Sequence, residues 1–169
     1  MGRDECECCK ATFVRTRKDY RFVESGLDNI ILKNIEVEEC PGCGAVQPII
    51  YRHNNVMRTI ALALIAKPYP LSGAEIKWLR KFLGMTQEEF AKFIPADTAV
   101  LSRWENDAQP VGSQSDRLIR LIALGLGEGL KEKAASASVI RMFENMHDTR
   151  KKIRVTVKPE TNEYAYEVA

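Results

Sequence analysis

The stretches CECC (residues 6–9) and CPGC (residues 40–43) decide how the N-terminal part of this chain folds. Each stretch contains a Cys-x-x-Cys pair, and about the length of one β-hairpin separates the two pairs. Two pairs at this spacing are typical of a four-thiolate zinc site, in which each pair forms a tight turn that presents two sulfur atoms to one ion. Pro41 and Gly44 suit such a turn and the positive φ that follows it. The predicted ligands of a single structural Zn²⁺ are Cys6, Cys9, Cys40 and Cys43.

Other roles for these cysteines fit the sequence less well. A disulfide framework is disfavoured because the five cysteines are an odd number and residues 1–20 show no apolar run of a secretory signal. A redox Cys-x-x-Cys needs only one pair, beside a βαβ pattern that this sequence does not show. A catalytic zinc keeps an open coordination position, which four thiolates do not leave. We interpret Cys8 as a spare thiol and His53 as a surface residue.

The composition is that of an ordinary globular protein. The 169 residues are enough for one or two small domains, and 45% of them are hydrophobic. The sequence has no apolar run of roughly 18 residues, so we expect no membrane partner and a cytoplasmic protein. The net charge of +2 says little about partners, but residues 131–158 carry eight basic and three acidic side chains. This local excess, centred on RKKIR (150–154), is a solvated face or part of a nucleic-acid or partner surface.

The N-terminal region reads as short antiparallel strands. The segments TFV (12–14) and YRFV (20–23) are β-prone, and IILKNIEV (30–37) runs into the second cysteine pair. A small sheet that carries two cysteine turns is a zinc ribbon, which we assign to residues 1–53. Its core is too small to fold unaided, so we expect metal binding to supply much of its folding free energy.

The segment NNVMRTIALALIA (54–66) predicts a helix with Asn54 or Asn55 as its N-cap. Pro68 ends the helix, because the residue before a proline avoids the α region. Apolar side chains lie on most faces of this helix, so we expect it to be packed on two sides. Residues 54–70 therefore form a bridging helix and linker between the ribbon and the rest of the chain.

About five short helices are expected in residues 71–127, which we take as an all-α domain. Ser72 with Glu75 forms one capping box, and Thr86 with Glu89 forms a second. Further along the chain, SQSD (113–116) opens another helix with an apolar face.

Residues 85–104 have the order of a helix-turn-helix: a capped helix, a tight turn and a second helix capped by Asp97. In this motif the second helix lies in the major groove of DNA. Leu101 and Trp104 would anchor that helix to the core. The predicted DNA-binding residues are Gln87, Thr98, Ala99, Ser102, Arg103 and Asn106.

Each of these contacts has an ordinary structural alternative. Arg103 can read guanine through a bidentate contact, or it can form a surface ion pair with Asp107. Thr98 and Ser102 can reach DNA or remain solvated. Gln87 lies in the first turn of its helix, where side chains meet backbone phosphates. Residues 72–125 carry seven basic and seven acidic side chains, so we expect modest non-specific affinity for DNA.

The C-terminal residues 128–169 form an extension of a different character. Residues 130–148 look helical but only weakly amphipathic. The alternating segments KIRVTVK (152–158) and EYAYEV (163–168) flank the turn signal PETN (159–162) and predict a β-hairpin. We expect this extension to complete a dimer, contact a partner or cover a sheet edge. The predicted fold class is therefore α+β: ribbon, helical domain, and a C-terminal helix with a short hairpin.

The segment SGAEIKWLRKFLGMTQEEFAKFIPADTAVLSRWENDAQP (72–110) resembles the Xre/Cro-repressor type of helix-turn-helix. The layout of cysteine pairs, strand-rich stretch, bridging helix and this segment resembles the MqsA-family antitoxins over about residues 6–125. The four predicted zinc ligands match that family's ligands, and Arg103 in SRWE matches its base-reading arginine. The family's second base-reading position falls on Ala99, which can touch a thymine methyl group. Pro95 stands where the family's turn usually has glycine.

The resemblance implies a structural zinc ribbon that engages a cognate ribonuclease toxin. It also implies a helical domain that forms a homodimer and binds a palindromic operator in double-stranded DNA of its own operon. The predicted function is therefore an autoregulating repressor that serves as the antitoxin of a type II toxin-antitoxin pair. The alternative is a stand-alone Xre-type regulator whose zinc ribbon and C-terminal tail bind another protein. An enzyme is not expected, since the sequence has no paired catalytic carboxylates and no Ser-His-Asp pattern.

Overall fold

A computed structural model describes residues 5–131, 144 and 146–168 of the chain. It confirms a mixed α+β fold with a five-stranded sheet, and five helices lie within these residues. Most of the predicted helix over residues 130–148 lies outside the described residues; of the described ones, 130–131 form a turn and 146–148 are not helical. The strands are β1 (Val14–Arg21), β2 (Ile30–Glu39), β3 (Val46–Pro48), β4 (Ile153–Lys158) and β5 (Glu163–Val168). The helices are α1 (His53–Ala66), α2 (Gly73–Phe82), α3 (Gln87–Ala91), α4 (Thr98–Glu105) and α5 (Ser113–Leu126).

The sheet joins the two ends of the chain. Its strand order is β1-β2-β4-β5, and β3 pairs with β2 beside this path. β2 and β4 are parallel, with Ile30 opposite Val155 and Leu32 opposite Val157. The predicted C-terminal hairpin is thus confirmed as β4 and β5, and its partner is the strand that leads to the second cysteine pair.

The N-terminal strands differ from the prediction in their bounds. The segments 12–14 and 20–23 were expected as separate strands, but most of this region forms the single strand β1, which has a bulge between Lys18 and Tyr20. The pairing of β1 with the ten-residue strand β2 explains this continuity, because seven residues of β1 have partners along β2, from Ile31 to Glu39. β3 was not predicted, since it has only three residues and ends in a proline, which is a poor strand signal.

α1 lies between the sheet and the other helices, as expected for a helix packed on two sides. β4 and β5 pack against it, the buried residues of β2 belong to the same hydrophobic core, and Tyr166 on β5 donates a hydrogen bond from its hydroxyl to the Ala63 carbonyl at 2.7 Å. The predicted N-cap was wrong: the cap residue is Arg52, with no side-chain hydrogen bond, and Asn54 and Asn55 lie inside the first turn. The α1 residues that are buried are Val56, Thr59, Ile60, Ala61, Ala63, Leu64 and Ile65.

Residues 71–127 form four helices, α2 to α5, where about five were expected, and residues 106–112 form a loop between α4 and α5. The capping boxes at Ser72 and Thr86 are both present, and Asp97 accepts a hydrogen bond from the Val100 amide. No helix among the described residues combines the length and apolar character needed to cross a membrane.

Arg120 on α5 holds the C-terminal end of α1 and is itself only 1% exposed. Its guanidinium donates to the carbonyls of Ile65 at 2.8 Å, Lys67 at 2.6 Å and Tyr69 at 2.7 Å. Asp116, one turn earlier on α5, accepts from Arg120 Nε at 2.8 Å and from the Leu71 amide at 2.8 Å. One ion pair thus satisfies the last carbonyls of α1 and the amide that leads into α2.

Two more buried ion pairs surround α2. Lys67 pairs with Glu75, and burial lowers the pKa of Lys67 even though the Glu75 carboxylate acts to raise it. Arg80 makes a bidentate contact with Glu105 on α4, with distances of 2.6 Å and 2.9 Å. α2 is therefore fixed to the linker at its start and to α4 near its end.

We expect Arg120→Met to destabilise the fold strongly. The substitution keeps most of the side-chain volume but leaves Asp116 buried without its cation, and breaking a buried pair in this way costs about 3–5 kcal/mol. Arg117→Met is the matched control, because Arg117 lies on the same helix and is exposed. Urea denaturation would measure the free energy of unfolding, and an equal decrease in the two variants would contradict the role of Arg120.

Candidate metal centre and nucleic-acid interface

The four predicted cysteine ligands lie together at one end of the sheet. Their Sγ atoms are all within 4.8 Å of one another, with 3.5 Å between Cys6 and Cys43 and 3.2 Å between Cys9 and Cys40. A zinc ion with four sulfur ligands at about 2.3 Å requires sulfur separations of roughly 3.8 Å. The cluster is therefore close enough to hold a metal ion, and a four-thiolate donor set suits a soft or borderline metal.

Strand pairing brings the two cysteine pairs together. Cys40 follows β2 directly, and Val14 at the start of β1 lies opposite Glu39 at the end of β2. The chain just before β1, which carries the first pair, therefore reaches the same end of the sheet as the second pair. Cys8 is exposed and does not belong to the cluster, as predicted. His53 packs edge-on against Phe22 at a centroid distance of 6.3 Å.

The two cysteine turns have the same backbone conformation. In each, the amide of the first cysteine donates to the carbonyl five residues later, at 2.9 Å in the first turn and 2.8 Å in the second. The amide four residues after the first cysteine donates back to that cysteine's carbonyl, at 2.9 Å in both turns. This fourth residue has a positive φ, 74° at Gly44 and 60° at Lys10. The sequence indicated the first of these but not the second, because lysine rarely adopts this conformation.

Hydrogen bonds in the cluster shift the pKa values of the Cys40 and Cys43 thiols in opposite directions. Burial acts to raise the pKa of Cys40, but bonds from the Cys9 thiol and from the amides of Cys43 and Gly42 lower it to about 6. The Ala45 amide acts to lower the pKa of Cys43, but the thiols of Cys6 and Cys40 together raise it to about 12. Since a metal binds thiolates, binding at neutral pH must release protons from this cluster.

Gly42 is required by the close approach of the two turns. A Cβ atom built on Gly42 would lie 2.8 Å from Cys9 Sγ, which is closer than such atoms pack. The CPGC turn therefore presents bare backbone to a sulfur of the other pair, and a larger residue at this position would displace that ligand.

The second candidate site is the helix pair α3 and α4. The connection between them, residues 92–97, contains Pro95 and no residue with positive φ, so this turn does not need the glycine of the resembled family. Leu101 and Trp104 on α4 are buried in the core. Thr98, Ala99 and Arg103 are exposed on the opposite side of α4, and Ser102 is half-buried beside them.

The predicted DNA-binding residues fall into two groups: those that are accessible on α4, and two whose side-chain amides already form hydrogen bonds within the protein. Arg103 is exposed, and its Nε donates to Gln109 at 3.2 Å rather than pairing with Asp107. The amide groups of two others are already engaged. Gln87 donates to Glu105 at 2.9 Å, and Asn106 donates to the Ser102 carbonyl at 2.9 Å. The accessible α4 face therefore consists of Thr98, Ala99, Ser102 and Arg103.

Two residues that the sequence analysis did not single out fix the position of α4. Glu105 is buried and receives both Arg80 and Gln87, so it joins α4 to α2 and α3. Gly73 begins α2 against the end of α4, where an added Cβ would lie 2.3 Å from the Trp104 carbonyl oxygen. The available signals for these contacts were an acidic residue that directly follows the buried Trp104 and a glycine in a first helical turn.

Comparisons of the chain with protein-family models, with curated proteins and with solved structures returned no match.

We expect the protein to contain one metal ion per chain and Cys40→Ser to lose it. The substitution removes a buried ligand, and three thiolates hold the ion far less tightly than four. Cys8→Ser is the matched control, because Cys8 neighbours a ligand in sequence but lies outside the cluster. Metal analysis of the purified proteins by mass spectrometry measures this directly. A Cys40→Ser protein that retains a full equivalent of metal would refute the four-sulfur site.

Proposed function

We propose that this protein is a sequence-specific DNA-binding repressor, in which α3 and α4 form a helix-turn-helix and α4 is the recognition helix. We further propose that its cysteine cluster binds a structural Zn²⁺ in a zinc ribbon. In this proposal it acts in the cytoplasm as the antitoxin of a type II toxin-antitoxin pair, represses its own operon and has no catalytic role.

The single observation that carries the DNA-binding proposal is the division of α4 into two faces. Leu101 and Trp104 anchor one face, while Arg103 projects from the other with Thr98 and Ala99 beside it. A short helix held by its apolar side, with a small-residue and arginine face outward, fits the major groove of DNA. Arg103 would read guanine, and the methyl groups of Thr98 and Ala99 suit contacts with thymine.

The charge balance supports recognition through base contacts. Seven basic and seven acidic residues in 72–125 leave this region without excess positive charge. Non-specific affinity comes mainly from neutralised phosphates, so it is expected to be low here. Discrimination between sequences then depends on the few side chains of the α4 face, above all on Arg103.

The zinc assignment is supported by the donor set. Four thiolates saturate a tetrahedral ion and leave no position for a reacting water, which favours a structural role. Cys6 and Cys40 are buried and the second pair directly follows β2, so a bound ion would fix the end of the sheet.

The antitoxin role, the homodimer and the palindromic operator are supported by the resemblance of residues 6–125 to MqsA-family antitoxins. In that family the zinc ribbon engages a ribonuclease toxin and the helical domain dimerises on DNA. The second candidate is a stand-alone Xre-type regulator whose ribbon and tail bind another protein. A toxin-sized reading frame beside the gene favours the first candidate.

We expect Arg103→Ala to weaken binding to the promoter of the protein's own operon by about 1–3 kcal/mol and to relax its sequence preference. The weakening arises because a bidentate guanine contact disappears while the fold is kept. Fluorescence anisotropy with a duplex from the upstream region, against a shuffled duplex, measures both effects. Arg15→Ala is the control, since it removes the same charge from an exposed arginine on β1. If Arg103→Ala binds the promoter as wild type does, α4 is not the recognition helix.

The antitoxin proposal predicts a stoichiometric protein partner with ribonuclease activity. Tagged protein purified from its native host should carry a small protein encoded by the neighbouring gene. That partner, expressed alone, should cleave RNA, and one equivalent of the present protein should abolish the cleavage. Recovery of DNA without such a partner would support the stand-alone regulator instead.

A further inference from the structure

The chain crosses the junction between the sheet and the helices once more just before β4. We call residues 146–152 the basic strap. The His147 amide donates to the Pro68 carbonyl at 2.8 Å, and the His147 ring stacks on Tyr69 at a centroid distance of 4.7 Å. Arg150 donates to the Leu71 carbonyl at 2.8 Å. The strap is therefore fixed along the linker between α1 and α2.

Arg150 also joins the strap to the end of α4. Its Nη1 donates to Asp107 Oδ1 at 2.7 Å, and Asp107 lies two residues after the last residue of α4. The same carboxylate accepts from the Gly73 amide at 2.9 Å, so Asp107 is held in a fixed position. The basic strap thus lies beside the loop that follows the proposed recognition helix.

The strap carries three basic residues and one acidic residue, Asp148, and so has excess positive charge. Arg150, Lys151 and Lys152 are consecutive and exposed. Lys151 Nζ lies 5.4 Å from the centroid of the Tyr69 ring. Within the described ranges, no acidic side chain forms an ion pair with Lys151 or Lys152, and Arg150 neutralises the carboxylate of Asp107. A groove of about 530 Å³ runs between the strap and the start of α2.

We propose that the basic strap contacts the phosphate backbone of the same DNA duplex that α4 reads. This inference rests on the proposed DNA-binding function and adds a phosphate-binding surface to it. α4 has eight residues and is about 12 Å long, so the loop that follows it begins within about one major-groove width, roughly 12 Å, of every residue on the exposed α4 face. When its exposed face enters the groove, the loop at its C-terminal end reaches the phosphates at the groove wall. The strap beside that loop supplies the positive charge that residues 72–125 lack.

The test compares the salt dependence of DNA binding in two double variants. Lys151→Ala with Lys152→Ala removes two charges from the strap and leaves Arg150 in place. Lys33→Ala with Lys158→Ala removes the same charge from the other end of the sheet, since Leu32 pairs with Val157 there and a strand of this length spans roughly 20 Å. The probes are a 40-base-pair duplex from the upstream region and a shuffled duplex of equal length.

The plot of log K against log salt has a negative slope, and the strap variant should make it less steep on both duplexes. The expected decrease in its magnitude is about 0.9 for each phosphate that the two lysines neutralise, up to about 1.8. The control should leave the slope near that of wild type. Equal slopes for the strap variant and the wild type would overturn the inference. This is also the result expected if the strap binds an acidic protein partner instead of DNA.

The two proposals fail in distinguishable ways. One outcome is that Arg103→Ala loses its preference for the promoter while the strap variant keeps the wild-type salt slope. This would support the repressor function and refute the phosphate contact of the strap. A wild-type protein that binds both duplexes equally would contradict sequence-specific repression, while a reduced strap slope on the shuffled duplex would still support the phosphate contact. Circular dichroism of the strap variant checks that its helices and sheet remain folded.

Discussion

The ion pair between Arg120 and Asp116 is the interaction on which the arrangement of this molecule depends. α1 packs on the sheet, while α5 belongs to the helical region, and Arg120 joins them by donating to the carbonyls at the end of α1. Buried ion pairs contribute little net stability compared with apolar packing, but they permit only one geometry. The pairs Lys67–Glu75 and Arg80–Glu105 act in the same way on either end of α2. The orientation of α4 relative to the sheet is therefore set by directional contacts as well as by the shared core.

β2 connects the metal cluster to these contacts. Its C-terminal end leads directly into Cys40, and its N-terminal half pairs with β4. β4 is preceded by the basic strap, whose Arg150 reaches the loop after α4. A sheet built from both ends of the chain thus gives the cysteine cluster a rigid physical connection to the proposed recognition helix. A zinc ribbon that folded as an isolated module would lack this connection. The buried residues of β2 belong to the same hydrophobic core as α1, so apolar packing supports these strands in addition to any metal.

The sequence predicted those features that depend on local chemistry. Cysteine spacing gave the four clustered sulfurs, and capping residues gave the starts of α2, α3 and α4, because caps and turns are set by neighbours along the chain. The sequence could not show that the C-terminal hairpin pairs with β2, since strand pairing across more than 100 residues leaves no local signal. It also contained no sign of the Lys10 conformation or of the amide contacts that engage Gln87 and Asn106. Those side chains looked available for DNA because their partners, Glu105 and the Ser102 carbonyl, are identified only by the packing.

The same packing explains how a nearly neutral helical region could still bind DNA. Three of the seven acidic residues of 72–125 help to fix the fold: Glu75, Glu105 and Asp116 are buried in ion pairs with basic partners, two of which lie in the same region. These pairs cancel internally and present no charge to a partner. Near the C-terminal end of α4, the exposed positive charge comes from Arg103 and from the strap, where Arg150 pairs with Asp107 and the two lysines are exposed. Base recognition and phosphate attraction would thus come from segments far apart in sequence, brought together by the pairing of β2 with β4.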